Sequence, residues 1–214
     1  MEFDFGAQAE GRKPRVADSI HVRPYEKKDE DDVRDICFQT GFLGRPVTDW
    51  MDINRQMFTD IWLYYYLHEE PESTFVAEVS GRVAGYVTGC VATARKKSFM
   101  RWRFPLYFMK SLLSGRYRFG LRAVAVFFRL AGDWLRFGFP KTPWKTHPVH
   151  IHFNVRPEFK HLSRHICLLL IRTLAVDFVK QGLEWAHGLT VLKKEDLGKR
   201  YSSMGTMYDA RRTT

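Results

Sequence analysis

The fold of this chain is decided by residues 149–170, which read VHIHFNVRPEFKHLSRHICLLL. Residues 149–155 alternate large side chains in a run rich in β-forming residues, which predicts a strand. Residues 156–158 break that alternation, and the mostly apolar residues 166–174 predict a helix. A helix that follows a strand directly turns unpaired backbone N–H groups toward one point, and such a point attracts phosphate.

A β-hairpin is predicted at residues 75–90, which read FVAEVSGRVAGYVTGC with Ser80-Gly81 as the turn. The other predicted elements are a strand at 20–24, a helix from the N-cap Asp29 to Gly41, a helix at 48–67, a strand at 183–191, a helix at 194–201 and a strand at 204–208. The chain after a flexible tail, residues 1–19, therefore forms one α+β domain, residues 20–214.

The hairpin and the segment that follows it resemble the GCN5-related N-acetyltransferase (GNAT) superfamily. The hairpin of that family typically reads fVAE-x-dGrvvGy-x-x-G, and residues 75–89 read FVAEVSGRVAGYVTG. Residues 155–160, VRPEFK, followed by an aliphatic helix, look like its acyl-CoA-binding motif. The resemblance covers residues 20–91 and 148–212. It implies the GNAT fold, a central mixed, mostly antiparallel twisted sheet flanked by helices.

The resemblance also implies a binding site for acetyl-CoA as co-substrate. The family's pyrophosphate loop reads Arg or Gln, two residues, Gly, one residue, then Gly or Ala. Those places fall on Lys160, Ser163 and His165, and His165 departs from the pattern, because only a small residue lets the backbone approach phosphate closely. The family often frees a backbone N–H for the thioester carbonyl at Asn154 or Val155. The implied cofactor-binding residues are Asn154, Val155, Lys160, His161, Leu162, Ser163, Arg164 and His165.

A catalytic tyrosine is implied near the carboxyl end of the chain. The family often reads Phe-Tyr-Glu-Lys-Leu-Gly-Phe there, and its Tyr commonly protonates the departing CoA thiolate. Residues 200–205, RYSSMG, match that frame, which gives the role to Tyr201. The alternative is a tyrosine that packs a short helix onto the sheet.

Two histidines of the predicted cofactor strand are candidates for the base. His150 and His152 differ by two positions and therefore face the same side of a strand. Histidine titrates near neutrality and accepts a proton from an amine directly or through water. His152 is the better candidate because it lies closer to the thioester position. A metal pair and ordinary hydrogen-bonded sheet histidines are the alternatives, but no third ligand stands at a telling spacing, so no metal is expected.

Residues 93–148 are the segment that the family does not predict. Periodicity indicates helices at 106–114 and 121–137, and the second has an almost entirely apolar circumference. Residues 95–145 contain 13 Lys and Arg and one acid, whereas the whole chain carries +10, so the basic excess lies here. The apolar surface of residues 100–139 has three possible partners: the host domain or a second subunit, an anionic membrane surface, or, less favoured, single-stranded nucleic acid.

These patterns predict an acyltransferase that moves an acetyl or longer acyl group from acyl-CoA to an unknown amine acceptor in a ternary complex. The alternative is a catalytically silent GNAT-like module that binds a membrane surface or a protein partner. No apolar run reaches the roughly 20 residues that span a bilayer. Cys37, Cys90 and Cys167 sit in apolar runs, which is typical of reduced thiols in a cytosolic protein. A cytoplasmic protein, peripheral at the inner membrane surface, is expected.

Overall fold

The computed structural model describes residues 19–42, 44–49, 51–137, 149–183 and 186–188. The predicted tail, the predicted helix at 194–201 with Tyr201, and the predicted strand at 204–208 lie outside the described residues. Of the strand predicted at 183–191, the structure describes Ala186–Gly188 as a strand.

A sheet of five strands forms the centre of the domain, in the order β1-β2-β3-β4-β5. The strands are β1 (Ile20–Pro24), β2 (Thr74–Val79), β3 (Arg82–Cys90), β4 (Val149–Val155) and β5 (Ala186–Gly188). The first four pair antiparallel, and β4 pairs with β5 in parallel. In the hairpin turn Ser80 and Gly81 have φ of 51° and 73°, the left-handed pair that tight hairpins require. The α+β class, the mostly antiparallel sheet and the hairpin are confirmed.

Six helices flank the sheet in the described part of the chain: α1 (Glu30–Thr40), α2 (Arg55–Tyr64), α3 (Thr93–Trp102), α4 (Phe104–Leu113), α5 (Leu121–Phe137) and α6 (Ser163–Lys180). The second predicted helix, at 48–67, starts too early. Asn54 Oδ1 accepts a hydrogen bond from the N–H of Met57 at 3.3 Å and thereby caps the first turn of α2. After Tyr64 the chain makes a π-helical turn, Tyr65–Glu69.

Asp29 precedes α1 as predicted, but its side chain does not cap that helix. The carboxylate instead accepts two hydrogen bonds from the guanidinium of Arg23, at 2.7 and 2.8 Å, and one from the N–H of Glu26 at 2.8 Å. A charge-assisted, two-pronged contact to arginine is stronger than a single backbone cap. The carboxylate therefore ties α1 to the edge strand β1.

The sheet is buried on both faces. Helix α6 covers one face with Ile166, Leu170, Leu174 and Phe178, and these pack on the alternate residues of β2, β3 and β4. A Cβ on Gly89 would lie 2.4 Å from the ring of Phe178, so glycine is needed for α6 to approach β3. Helices α1 and α2 pack against the opposite face with Val33, Ile36, Met57 and Leu63.

The insertion packs against that second face. The first of its helices, α3, was not predicted; α4 and α5 match the predicted helices at 106–114 and 121–137. Phe99 and Phe104 are buried with Tyr65 and Tyr66 of the π-helical turn. Tyr117 and Ala123 join the core of α1 and α2. The inner sides of these helices are therefore buried against the host domain.

One buried carboxylate links the insertion to the rest of the domain. Asp60 on α2 is fully buried and accepts hydrogen bonds from the guanidinium of Arg34 on α1 at 2.6 Å and from the amide of Gln56 at 2.9 Å. Its other oxygen accepts from the hydroxyls of Tyr107 and Tyr117, at 2.9 and 2.8 Å. Both oxygens are thus satisfied, as a buried charge requires.

We expect the replacement Asp60→Ala to lower the free energy of unfolding by about 3–5 kcal/mol, because it removes the buried acceptor that Arg34 shares with two tyrosine hydroxyls and leaves Arg34 with Glu30 as its one carboxylate partner among the described residues. Tyr117→Phe removes one hydrogen bond to a charged acceptor and should cost about 1.5–3 kcal/mol. Asp49→Ala is the control, since its pair with Arg45 is exposed and 4.0 Å long. Urea denaturation measures all three, and an Asp60→Ala protein as stable as the Asp49→Ala protein would contradict the assignment.

Candidate active site

The two predicted histidines lie on one face of β4, as their spacing predicts. His150 and His152 face α2, the π-helical turn and α3, where their rings contact Tyr66, Trp62 and Tyr86. Ile151, Phe153 and Val155 face the opposite side and pack with α6. The histidine side of the strand therefore carries the polar side chains, and the α6 side is core.

His152 sits among three other side chains. The ring of Trp62 stacks on it with a centroid distance of 6.3 Å, and Trp62 is half exposed. The hydroxyl of Tyr86 lies 3.4 Å from Nδ1, and the amide nitrogen of Asn154 lies 3.4 Å from Nε2. Asn154 also donates to the Tyr86 hydroxyl at 3.0 Å. These contacts fix the ring against the half-exposed tryptophan.

Burial, together with the nearby charge of Lys96, lowers the pKa of His152 to about 4. The charged imidazolium is disfavoured because the aromatic surroundings solvate it poorly. At pH 7 the ring is therefore neutral, and one of its nitrogens has an unprotonated lone pair. His152 is in the protonation state that a proton acceptor needs, although it is a weaker base than an ordinary histidine.

His150 belongs to a second chain of contacts. Its Nδ1 contacts the hydroxyl of Tyr66, and Lys96 Nζ donates to the same hydroxyl at 2.5 Å. The ammonium also lies 4.1 Å from the centre of the Tyr66 ring. A charged lysine has no acceptor, so the Tyr66 oxygen accepts from Lys96 and the hydroxyl donates to His150. This assignment leaves the proton of a neutral His150 on Nε2.

Lys96 is contributed by α3, so the insertion reaches the site. Burial lowers the pKa of Lys96 to about 8, against the opposing influence of Cys90 and Glu70. Glu70 is itself buried, and one of its oxygens accepts from the N–H of Val91 at 2.5 Å. Burial raises the pKa of the Cys90 thiol to about 12, which makes a thiolate nucleophile unfavourable at neutral pH.

The backbone of β4 separates the two predicted N–H donors. The N–H of Arg156 donates to the carbonyl of Ala84 at 2.8 Å, which sets the phase of the β3–β4 ladder. In an antiparallel ladder, residues bonded to the neighbour alternate with residues whose amide groups point away. With Asn154 opposite Tyr86, the N–H of Asn154 points to β3, whereas the N–H of Val155 points to the β5 side.

The β5 side of β4 is paired over only part of its length in the described residues. The described strand β5 pairs with Val149, His150 and Ile151. The amide groups of Phe153 and Val155 lie beyond that pairing, on the same edge. This edge leads directly into the loop before α6.

The predicted phosphate loop is a turn of 3-10 helix, Pro157–Leu162, that runs into α6. Neither helix has a side-chain cap at its N-terminus, but backbone carbonyls accept from two N–H groups here: Phe159 donates to Arg156, and Ser163 donates to Lys160. Lys160, His161, Arg164 and His165 are exposed around this end, and Leu162 and Ser163 are partly buried. Positive side chains and a helix N-terminus together favour an anion.

Arg156 does not belong to this exposed group. It is buried and donates to the carboxylates of Asp32 and Asp35 on α1, at 2.5 and 2.9 Å, and to the carbonyl of Val83 at 3.1 Å. These bonds clamp the end of β4 to α1 and β3. The clamp holds the loop in place while Lys160 and Arg164 remain available to solvent.

Four site residues escaped the sequence analysis: Trp62, Tyr66, Tyr86 and Lys96. The alternation of the hairpin places Tyr86 on the histidine side, so that signal was present. Nothing in the sequence pairs Lys96 with the site, because it reads as one charge of a basic segment. Tyr201 lies outside the described residues. In the described part of the chain, no group of three His, Cys, Asp or Glu side chains is placed to hold a metal.

The strand order, the hairpin and the unit of β4, loop and α6 define the GNAT fold that the resemblance predicted. Among solved structures the chain is similar to SsHAT, with 24% identity over 87% of this chain and 90% of that chain and a TM-score of 0.65. This similarity confirms the fold.

Two weaker structural matches are enzymes. Drosophila melanogaster polyamine N-acetyltransferase, which forms N-acetylagmatine, matches with 18% identity over 86% of this chain and 82% of that chain and a TM-score of 0.46. A variant of agmatine N-acetyltransferase in its apo form matches with 16% identity over 88% and 82% and a TM-score of 0.45. Comparison by sequence gives no matching family profile and no matching curated relative.

We expect the low pKa of Lys96 to appear in the pH dependence of stability. The folded state loses the Lys96 proton near pH 8 and an unfolded lysine loses it near 10.5. Between those values the unfolded state binds more protons, so stability rises with pH. Relative to Lys96→Met, the wild type should therefore become more stable as pH increases from 8 to 10.

Urea denaturation of both proteins across that range measures the effect. The difference between the two curves cancels the titration of groups they share, such as the buried thiols. Lys97→Met is the matched control, because Lys97 is exposed and adjacent. A difference between wild type and Lys96→Met that is independent of pH would contradict the buried position of Lys96.

Proposed function

We propose that this protein is a GNAT-type acyltransferase that moves an acetyl or longer acyl group from acyl-CoA to an amine acceptor, by direct transfer in a ternary complex. The observation that carries the proposal is the arrangement on β4. Neutral His152 stands three residues before the outward N–H of Val155, on a strand that leads into an uncapped, basic helix N-terminus. A single segment thus carries a proton acceptor, then an N–H that can donate to the thioester carbonyl, and then a site for an anion.

The residues at the start of α6 fit the diphosphate of CoA. Lys160 and Arg164 supply positive charge, and the positive end of the α6 dipole points to the same place. His161 and His165 are exposed beside them and complete the polar rim. The bound co-substrate supplies the activated acyl group as a thioester. His165 stands where the family has a small residue, so we expect weaker binding than a glycine loop would give.

Each proposed step uses a group of this chain. The N–H of Val155 donates to the thioester carbonyl oxygen as negative charge develops there. The acceptor nitrogen forms the new bond to the acyl carbon, and His152 accepts the proton that this nitrogen loses. A weak base suffices, because the nitrogen carries a positive charge once the bond has formed. Tyr201 donates a proton to the sulfur as the carbon–sulfur bond breaks.

Asn154, His150, Tyr66 and Lys96 are proposed as positioning residues. Asn154 holds Tyr86 and His152 together through its side chain. Lys96 and Tyr66 set which nitrogen of His150 carries a proton. Because His150 and His152 lie on the same face of the strand, a fixed His150 ring gives the acceptor amine a fixed surface to bind beside His152. Trp62 forms the half-exposed side of that surface.

Acetyl-CoA should bind at the N-terminus of α6 with one molecule per chain in isothermal titration calorimetry. Replacing Lys160 and Arg164 together by Ala should weaken binding by about tenfold or more, since each loses a charge-assisted contact to phosphate. Arg172→Ala with Lys180→Ala is the matched control, because these cations lie on the same helix away from its start. No heat of binding at millimolar acetyl-CoA would overturn the proposal.

His152→Ala and Tyr201→Phe should each lower the rate of acyl transfer by about 10²-fold while CoA affinity stays the same. Release of free CoA with a panel of amines, detected with a thiol reagent, measures the rate. His21→Ala is the control, because it removes an exposed imidazole of β1 that has no role in this mechanism. In the pH–rate profile the His152 limb should lie near pH 4 rather than at the ordinary value. Unchanged rates in both variants would refute these roles.

A further inference from the structure

The outer side of the insertion exposes large apolar side chains in a regular pattern. On α4, Leu106, Met109 and Leu113 are 74%, 49% and 82% exposed. They stand at helical offsets of three and seven, so they form one stripe along the helix. Trp102, at the end of α3, is 66% exposed just before the stripe. The other side of α4 packs into the domain through Phe104, Tyr107 and Phe108.

Helix α5 repeats this division. Ala123 is buried and Val126 packs against the core, whereas Leu121 and Phe128, one heptad apart, are 87% and 75% exposed. Folding therefore covers the inner apolar sides of the insertion and leaves the outer sides uncovered. Exposed apolar side chains in stripes of this kind mark an interaction site.

The charged side chains that residues 101–129 contribute to this surface have one sign. Residues 101–129 contain seven Lys and Arg and no Asp or Glu. All seven side chains are exposed: Arg101, Arg103, Lys110, Arg116, Arg118, Arg122 and Arg129. Glu69 of the π-helical turn pairs with Arg103 at 2.6 Å, and Arg101 lies over the ring of Trp102, 5.1 Å from its centre. The partner of this surface must therefore be apolar and anionic at once.

A lipid bilayer with anionic headgroups meets both conditions. Amphipathic helices lie in the interface with aliphatic side chains among the acyl chains and Lys and Arg at the headgroups, and Trp favours the boundary. A second copy of this chain fits poorly, because a two-fold contact would place this positive surface against itself. Single-stranded nucleic acid is anionic but offers no apolar phase for Leu106 and Leu113.

We propose that the outer surface of α4 and α5 docks this protein on an anionic membrane surface. No helix in the described residues is long and apolar enough to cross a bilayer, so the docked helices lie along the interface. Lys96 and Trp102 stand on the same helix, α3, six positions apart. The insertion thus contributes one residue to the site and places another at the docking surface. This proposal does not depend on acyl transfer, and its test uses no activity.

Flotation of the full chain with vesicles of phosphatidylcholine, with and without phosphatidylglycerol, tests the proposal. The wild type should float with the anionic vesicles, float much less with neutral ones, and be released in part by salt. Leu106→Ser, Met109→Ser and Leu113→Ser combined should reduce flotation by about tenfold or more, since the stripe loses its apolar contact with the acyl chains. Lys110→Gln, Arg118→Gln and Arg122→Gln combined should remove the preference for anionic lipid.

The matched control is the triple change Leu168→Ser, Val176→Ser and Val179→Ser on α6, where three apolar side chains are also 51%, 49% and 71% exposed. It should float like the wild type, and circular dichroism checks that all variants are folded. Three outcomes would overturn the proposal. They are a wild type that does not float, a dimer that the α4 variant splits, and single-stranded DNA binding that survives the α4 change.

Discussion

The fully buried carboxylate of Asp60 is the constraint on which the histidine side of the domain depends. A carboxylate without partners in this position would be strongly destabilising. Here α1 supplies Arg34, and the insertion supplies the hydroxyls of Tyr107 and Tyr117. One charge therefore requires three separate parts of the chain to meet at α2. The insertion is held by the same interaction that holds the two predicted helices.

Attachment of the insertion has a chemical consequence. With α4 held at Asp60, α3 packs over the π-helical turn, and Lys96 reaches the hydroxyl of Tyr66. That hydroxyl contacts His150 on the central strand. A segment that the family resemblance treats as extra thus sets the tautomer of a histidine in the site. Its positive charge also helps to keep His152 neutral.

The same segment presents two different surfaces. Its inner side is aromatic and shares a core with the domain, whereas its outer side combines exposed aliphatic residues with positive charge. Arg156, at the end of β4, also has a buried side that makes polar contacts: its guanidinium donates to the carboxylates of Asp32 and Asp35. It fixes the backbone at the start of the loop, and Lys160 and Arg164 remain exposed. In both places buried polar contacts fix the backbone, whereas other charged side chains stay at the surface.

The hairpin, the strand β4, the loop and α6 could be predicted from the sequence alone, because their signals are local: a two-residue turn, alternation and a helical period. The sequence also put His150 and His152 on one face, since that follows from strand geometry alone. The predicted start of α2 was wrong, because the sequence does not show that the Asn54 side chain accepts the hydrogen bond from the Met57 N–H and begins the helix there. Only the tertiary structure placed Trp62, Tyr66 and Lys96 at His150 and His152. Those contacts join residues that lie far apart in the chain. The π-helical turn rotates Tyr66 away from the direction that a regular α-helix would give it, and the burial of Lys96 against Tyr66 has no local sequence signal.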